Sequence, residues 1–242
     1  YLTTIKEQTF DFPPDYHLDW RVHFLGGADK KGHEIVNASL WNDLLLPELI
    51  AVEKKINSTQ NRLIRARGLA RLSAWFAFGH TFSLVNRYVI EIDQQGSLWR
   101  TDSLSSKDFS VVATNGAEGE TMSGLGETVA VGISVSGSLE GEVKDYLKDR
   151  EDEVNSVLFL SPEQGVGQMC LKSAGDAVAL AEGVKTAIKS FATKRKAHKV
   201  MLFYFGPLSG ACFIGHRLNA VASRVQVMES LNPGYAPSFL LE

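Results

Sequence analysis

The chain has 242 residues, enough to bury a large core in one domain or two. Its 25 Lys and Arg stand against 28 Asp and Glu, a net charge of −3, which excludes a general DNA-binding surface and a polyanionic tail and leaves any phosphate ligand to be met by local groups. Two cysteines, Cys170 and Cys212, lie in apolar surroundings without CxxC spacing, as buried thiols in a reducing cytoplasm would, and neither a membrane-length apolar run nor a secretory signal is present.

Residues 1–15 read as irregular, with Pro13-Pro14 as a stop. LDWRVHF, 18–24, alternates enough for a first strand. The loop 25–38 is flexible and basic, with Gly26, Gly27, Lys30, Lys31, Gly32 and His33, and in a parallel sheet such loops gather at the carboxyl edge where ligands bind. A helix is expected over 39–56, with Ser39 as N-cap and Trp41, Leu45, Leu49, Val52 and Ile56 on one stripe. Pro47 falls inside it and should kink or split it. A strand at 63–67 leads to Gly68 and a small-residue helix. Strands at 88–92 and 97–101 follow, paired around Gln95-Gly96, with Trp99 as an exposed aromatic.

Residues 103–126 are rich in Ser, Gly, Thr and acids, with little periodicity, and read as a connection between halves. The second half opens with a strand at 128–136, a helix at 139–148 and a strand at 155–160. From Asp176 a helix carries Ala177, Ala181, Val184, Ile188 and Phe191 on its apolar stripe and closes on Lys194, Arg195 and Lys196. Cations there complement the negative helix end, so the cluster reads as a cap instead of a nucleic-acid patch.

The run HKVMLFYF, 198–205, has no polar alternation, so both faces of this strand should be covered. Gly206 permits a tight turn and Pro207 suits the first helical position. A helix and a β-branched strand at 224–228 complete a βαβ unit. LSGACFIGH, 208–216, aligns without gaps on LSAWFAFGH, 72–80, at a constant offset of 136 positions, with four of nine residues identical. Each copy follows a strand and a glycine and precedes a strand. The expected fold is therefore α/β with mainly parallel sheets, built from two fused half-domains.

Catalytic signatures are missing. GISVSG at 132–137 has the wrong spacing for a nucleophile elbow, and there is no HExxH, Walker A loop, GxGxxG or paired Cys/His metal spacing. His80 and His216 occupy equivalent repeat positions, which suits packed, hydrogen-bonded residues better than ligands. The chain is expected not to be an enzyme and to hold no metal or cofactor.

FYFGPLSGACFIGHRLNAVASRVQVMES, 203–230, closely resembles the C-terminal signature of SAVED domains, and further matches at 67–80, QQGSLW (94–99), 129–136, 158–162 and SAGDAVALAE (173–182) extend the resemblance over 20–229. It implies two CARF-like, Rossmann-like halves with an internal pseudo-two-fold, at 16–115 and 116–242. It also implies that 1–15 is a linker or the tail of a missing N-terminal effector domain, in keeping with the start at Tyr1. The implied function is reception of a cyclic oligonucleotide made by a CD-NTase in bacterial antiphage defence. Binding would drive homo-oligomerisation and activate a fused effector, which alone would touch DNA; no membrane is involved. LDWRVHF, LWNDLLLPEL and ARGLARLS look most like the branch fused to an HNH endonuclease, which implies a cyclic dinucleotide such as 3′,2′-cGAMP. A ring nuclease that cleaves its ligand and a nucleotide-independent assembly module are the competing readings.

Within that frame, Gly68 and Gly206 open helices whose first N–H groups, at Leu69, Ala70, Leu208 and Ser209, should face a ligand with two phosphates. Arg67 and Arg71 flank the first turn as phosphate contacts, and Pro207 and Leu208 belong to the second. Ser136 and Gly137 supply the neighbouring loop, and Lys172 and Ser173 precede the Asp176 helix. Trp99 and Phe205 are the candidates for base stacking, worth roughly 1–3 kcal/mol per base.

Overall fold

A computed structural model describes residues 1–5, 13–25, 34–94, 96–231 and 234–242. The basic loop residues Gly26 to His33, and Gln95, lie outside the described residues. The first half contains β1 (Leu2–Thr3), β2 (Leu18–Asp19), α1 (Leu46–Ser58), β3 (Leu63–Ala66), α2 (Leu72–Thr81), β4 (Val89–Gln94) and β5 (Ser97–Arg100). Then come β6 (Val111–Ala113), β7 (Glu120–Thr121), β8 (Thr128–Ser134), α3 (Glu140–Lys148), β9 (Ser156–Pro162), α4 (Ala174–Lys194), β10 (Lys199–Phe205), α5 (Leu208–Arg217), β11 (Arg224–Ser230) and β12 (Tyr235–Leu241).

The large sheet has the order β12-β11-β10-β8-β9-β6, with β7 also on β9. Strands β11, β10, β8 and β9 are mutually parallel, while β12, β6 and β7 join antiparallel at its margins. In the first half β3 and β4 are parallel and β5 pairs antiparallel with β4. The mainly parallel α/β expectation holds, with the two halves unequal in size.

Alternate residues of a strand face opposite sides of its sheet, and here both sides are covered. Val200, Leu202 and Tyr204 of β10 enter the main core with α2, α4 and α5, whereas Met201 and Phe203 enter a second core with Leu139, Val143 and Leu147 at α3. That is why the β10 run lacks polar alternation.

The duplication is visible in packing. A Cβ on Gly79 would stand 2.1 Å from the Cys212 carbonyl oxygen, and one on Gly215 would stand 2.3 Å from the Phe76 carbonyl oxygen. Gly79 and Gly215, and Phe76 and Cys212, are equivalent positions of the repeat. Helices α2 and α5 thus meet backbone to backbone in a reciprocal contact, as a two-fold relation requires.

Three expectations are corrected. Residues 1–15 do not begin as an irregular linker: β1 pairs parallel with β2, and Leu2, Thr3 and Thr4 are buried. The segment 103–126 is not a bare connection, because β6 and β7 pair with β9; a boundary at 115 cuts through the second half's sheet. These strands, three and two residues long, are too short to leave a period. The helix expected from Ser39 starts with a π-helical turn at Trp41–Leu45, and regular α-helix begins at Leu46 beside Pro47, without a side-chain cap. The stripe holds: Trp41, Leu45, Leu49 and Ile56 are buried.

Lys194 binds Glu118 at 2.6 Å and the Arg195 guanidinium donates to the Glu118 carbonyl, so both are engaged at the end of α4. His216, fully buried, donates from Nε2 to the Tyr88 carbonyl oxygen at 2.8 Å. Its Nδ1 is left to accept from Arg217 Nη1 at 3.3 Å, and Arg217 Nη2 donates to the Thr101 carbonyl at 2.8 Å. This network ties α5 to β4 and to the end of β5. Burial, aided by the Arg217 charge and opposed by the Tyr88 bond and Asp102, lowers His216 to about 4. Unfolding restores a value near 6.5, so the unfolded chain binds the extra proton between these limits. Stability should fall by roughly 3 kcal/mol as pH drops from about 6.5 to about 4. Urea unfolding of the wild type and His216→Gln across this window checks it, the variant losing that acid limb.

A carboxyl-edge candidate site

Register places Phe205 opposite Ser134, so β8 and β10 deliver 135–137 and 205–208 to one place at the carboxyl edge of the parallel strands, where open α/β sheets hold ligands. The Phe205 carbonyl accepts from the N–H groups of Val135 at 2.8 Å and Ser136 at 3.1 Å. The Phe205 ring is 48% exposed and lies against Gly137, where a Cβ would stand 2.6 Å from it. Glycine at 137 leaves room for the ring.

Tyr204 folds beneath the turn and its hydroxyl donates to the Pro207 carbonyl at 3.0 Å. Side chains at Gly206 or Gly210 would strike that hydroxyl. Pro207 sits at the N-cap, one position before its expected place, and α5 starts at Leu208. The segment following β9 crosses this edge: Gly167 N–H donates to the Val135 carbonyl at 2.8 Å. Val166 and Met169 of that segment are exposed, while Leu171 is buried near Gly210.

Ser136, Gly137, Phe205, Gly206, Pro207 and Leu208 are therefore brought together. Lys172 and Ser173 lie at the start of α4, where the Ser173 hydroxyl accepts from Asp176 N–H at 3.2 Å and Asp176 Oδ2 accepts from Lys172 N–H at 3.0 Å. This is a reciprocal helix cap, so the Ser173 hydroxyl serves the fold. The Lys172 side chain is exposed.

The first-half candidates are arranged differently. Gly68 does not open α2, which begins four residues later at Leu72, so the N–H groups of Leu69 and Ala70 are not helical. The intervening chain is held by the N-terminal strand: Leu2 N–H donates to the Arg67 carbonyl at 2.9 Å and Thr4 N–H to that of Leu69 at 3.0 Å. Gly68, at φ +149°, admits Leu2, whose carbonyl oxygen would be 1.8 Å from a Cβ. Arg71 is committed to Glu229, with Nε at 2.7 Å and Nη2 at 2.6 Å from its carboxylate. The Ser73 hydroxyl and N–H also donate to Glu229. Trp99 is 7% exposed and pairs with Ile92 on the inner face of the small sheet, which corrects its reading as an exposed stacking aromatic. Leu98, its neighbour, takes the outer face.

Burial lowers His80 and, as described, His216, and His216 is a packed residue of the joint. Cys212 is buried, and burial raises its thiol; Cys170 is half-buried. Among the described residues no group of three or more His, Cys, Asp or Glu could hold a metal ion, and no helix is long and apolar enough to cross a membrane. Missed in the sequence are Tyr204, Ser73, Glu229 and the hydroxyl of Ser209, a residue expected to offer only its N–H. The identical serines of the repeat were the available signal for two of them.

Residues 47–241 match the model of the SAVED family, described as the SMODS-associated and fused to various effectors sensor domain. Among curated proteins, the chain is similar to CD-NTase-associated protein 4 of Acinetobacter sp. (strain ATCC 27244 / 9458), 26% identical over 206 residues, and to that of Moraxella osloensis, 25% identical over 206 residues. Each comparison covers 83% of this chain and 41% of the relative, so the chain spans about two fifths of their length. Among solved structures it resembles the Acinetobacter baumannii Cap4 SAVED/CARF-domain containing receptor with the cyclic trinucleotide 2′3′3′-cAAA, at TM-score 0.71 and 20% identity over 85% of this chain and 44% of that one. The same receptor with 3′3′3′-cAAA gives 0.70 at 21% identity with the same coverage.

Proposed function

The chain belongs to the SAVED sensor-domain family, and from that premise we propose that it is a receptor for a cyclic oligonucleotide second messenger in CBASS antiphage defence. The family match over 47–241 carries this reading, and the edge formed by β8 and β10 supplies its chemistry. Phe205 offers a half-exposed ring for a base. The first N–H groups of α5 lack intrahelical acceptors and carry the positive end of the helix dipole, suited to a phosphate. A helix end contributes on the order of 0.3–1 kcal/mol, whereas nanomolar binding needs about 12 kcal/mol. Base stacking and enclosure must therefore supply most of the affinity.

Ring size has two readings. The first-half segments resembling the HNH-fused branch favour a cyclic dinucleotide such as 3′,2′-cGAMP. The similarity to Cap4 receptors solved with cyclic trinucleotides favours a trinucleotide. In the whole protein, ligand-driven oligomerisation would activate a fused effector nuclease, of HNH type on the first reading. A ligand shifts such an assembly only by its differential affinity for the assembled state.

Sedimentation of the purified chain with each nucleotide, followed by chromatography of the recovered ligand, tests this reading. Intact nucleotide and a ligand-dependent larger species are expected; cleaved nucleotide would make the chain a ring nuclease, and assembly indifferent to nucleotide would make it a structural module. Phe205→Ala should weaken binding about tenfold, in line with roughly 1–3 kcal/mol per stacked base, without changing stability much. Unchanged affinity would place the stacked base elsewhere.

A further inference from the structure

The N-terminal ends of α2 and α5 are filled differently, and we infer that the receptor's anion subsite is one-sided, built on Ser209 at α5, while Glu229 closes the equivalent position at α2. This rests on the receptor reading above. Ser73 and Ser209 are equivalent in the repeat, each the second residue of its helix. Neither helix has an acidic residue in its first turn or a side-chain cap. At α2 the Glu229 carboxylate, brought from the end of β11, accepts from the Ser73 hydroxyl, the Ser73 N–H and Arg71. An anion belonging to the chain satisfies that helix end.

At α5 the counterpart is missing. Ser209 is fully buried, and its hydroxyl has no hydrogen-bond partner among the described residues. Leaving a buried hydroxyl unpaired is costly, so an acceptor is expected there in the working state. Helical side chains lean toward the N-terminus, which directs this hydroxyl to the same end as the unpaired N–H groups. An oxyanion arriving at that end would accept from both, as Glu229 does at α2. A phosphodiester of a cyclic oligonucleotide has the required charge and acceptor oxygens. Leu171 lies near this first turn, and its segment is tied to the end of β8 through Gly167 and Val135.

The test is titration of wild type, Ser209→Ala, Ser209→Asp and Ser73→Ala with 2′3′3′-cAAA, 3′3′3′-cAAA and 3′,2′-cGAMP, with melting curves in inorganic pyrophosphate alongside. Ser209→Ala should weaken binding about tenfold or more without lowering the melting temperature. Ser209→Asp places a carboxylate at that helix end and should abolish binding. Ser73→Ala should lower the melting temperature and leave affinity unchanged. Wild-type affinity in both Ser209 variants would overturn the subsite with the receptor reading intact; if Ser209→Asp does not fold, Ser209→Ala decides. Should wild type bind none of the three nucleotides, the receptor reading fails by itself. Pyrophosphate then judges the subsite: stabilisation of wild type but not of the Ser209 variants retains it, and an equal response of all removes it.

Discussion

Gly79→Ala should destabilise the chain by about 3 kcal/mol, toward the upper end of what overpacking a well-packed interior costs. The added methyl would meet the Cys212 carbonyl oxygen at 2.1 Å and the His216 nitrogen at 2.7 Å, both backbone atoms that no rotamer change can withdraw. Gly215→Ala should cost a similar amount, because it meets the Phe76 carbonyl at 2.3 Å in the reciprocal position. Urea unfolding midpoints measure both. Tolerance of alanine at either site would mean that α2 and α5 do not cross there and that the joint between halves is built otherwise. Since α5 also carries the candidate ligand edge, both variants should lose ligand affinity along with stability.

Arg71→Ala should cost about 3 kcal/mol, since it leaves a buried carboxylate without its cationic partner. Burial raises the Glu229 carboxyl above the usual glutamate range, with Arg71 and Ser73 opposing; removing Arg71 raises it further. A carboxyl raised in the folded state has its stability contribution intact below the unfolded value near 4.5 and loses it as pH rises through the folded value. The deficit of the variant should therefore be larger at pH 8 than at pH 5. Equal losses at the two pH values would show that solvent screens the pair. Glu229→Gln, which removes the buried charge, should narrow the pH difference in an Arg71→Ala background.

The repeat at 72–80 and 208–216 was legible in the sequence, and the structure gives reasons for three of its four identities. The glycines are the crossing point of two backbones, the serines occupy the first turn of each helix, and the histidines lie where each helix ends. Parallel strands and the stripes of α1 and α4 were also legible, because burial writes its period into the side chains. Trp99 was not: Leu98 and Trp99 are adjacent apolar residues on opposite faces, and alternation alone cannot choose which faces inward. Nor could the local pattern reveal that β1, more than sixty residues upstream, holds 67–71 extended and moves the start of α2 past Gly68. The symmetric pair of open helix ends failed for a similar reason, since the carboxylate filling one of them comes from β11. At the β8 and β10 edge the contacts follow from adjacent parallel strands and local turns, and there the expected residues did converge.

Calorimetric titration of this chain against a panel of cyclic di- and trinucleotides, including 3′,2′-cGAMP, 2′3′3′-cAAA and 3′3′3′-cAAA, tests the central claim most directly. The receptor account predicts tight, saturable binding of one ring size, weakened about tenfold in Phe205→Ala and abolished in Ser209→Asp. Absence of binding to every member, with the chain folded, would contradict it.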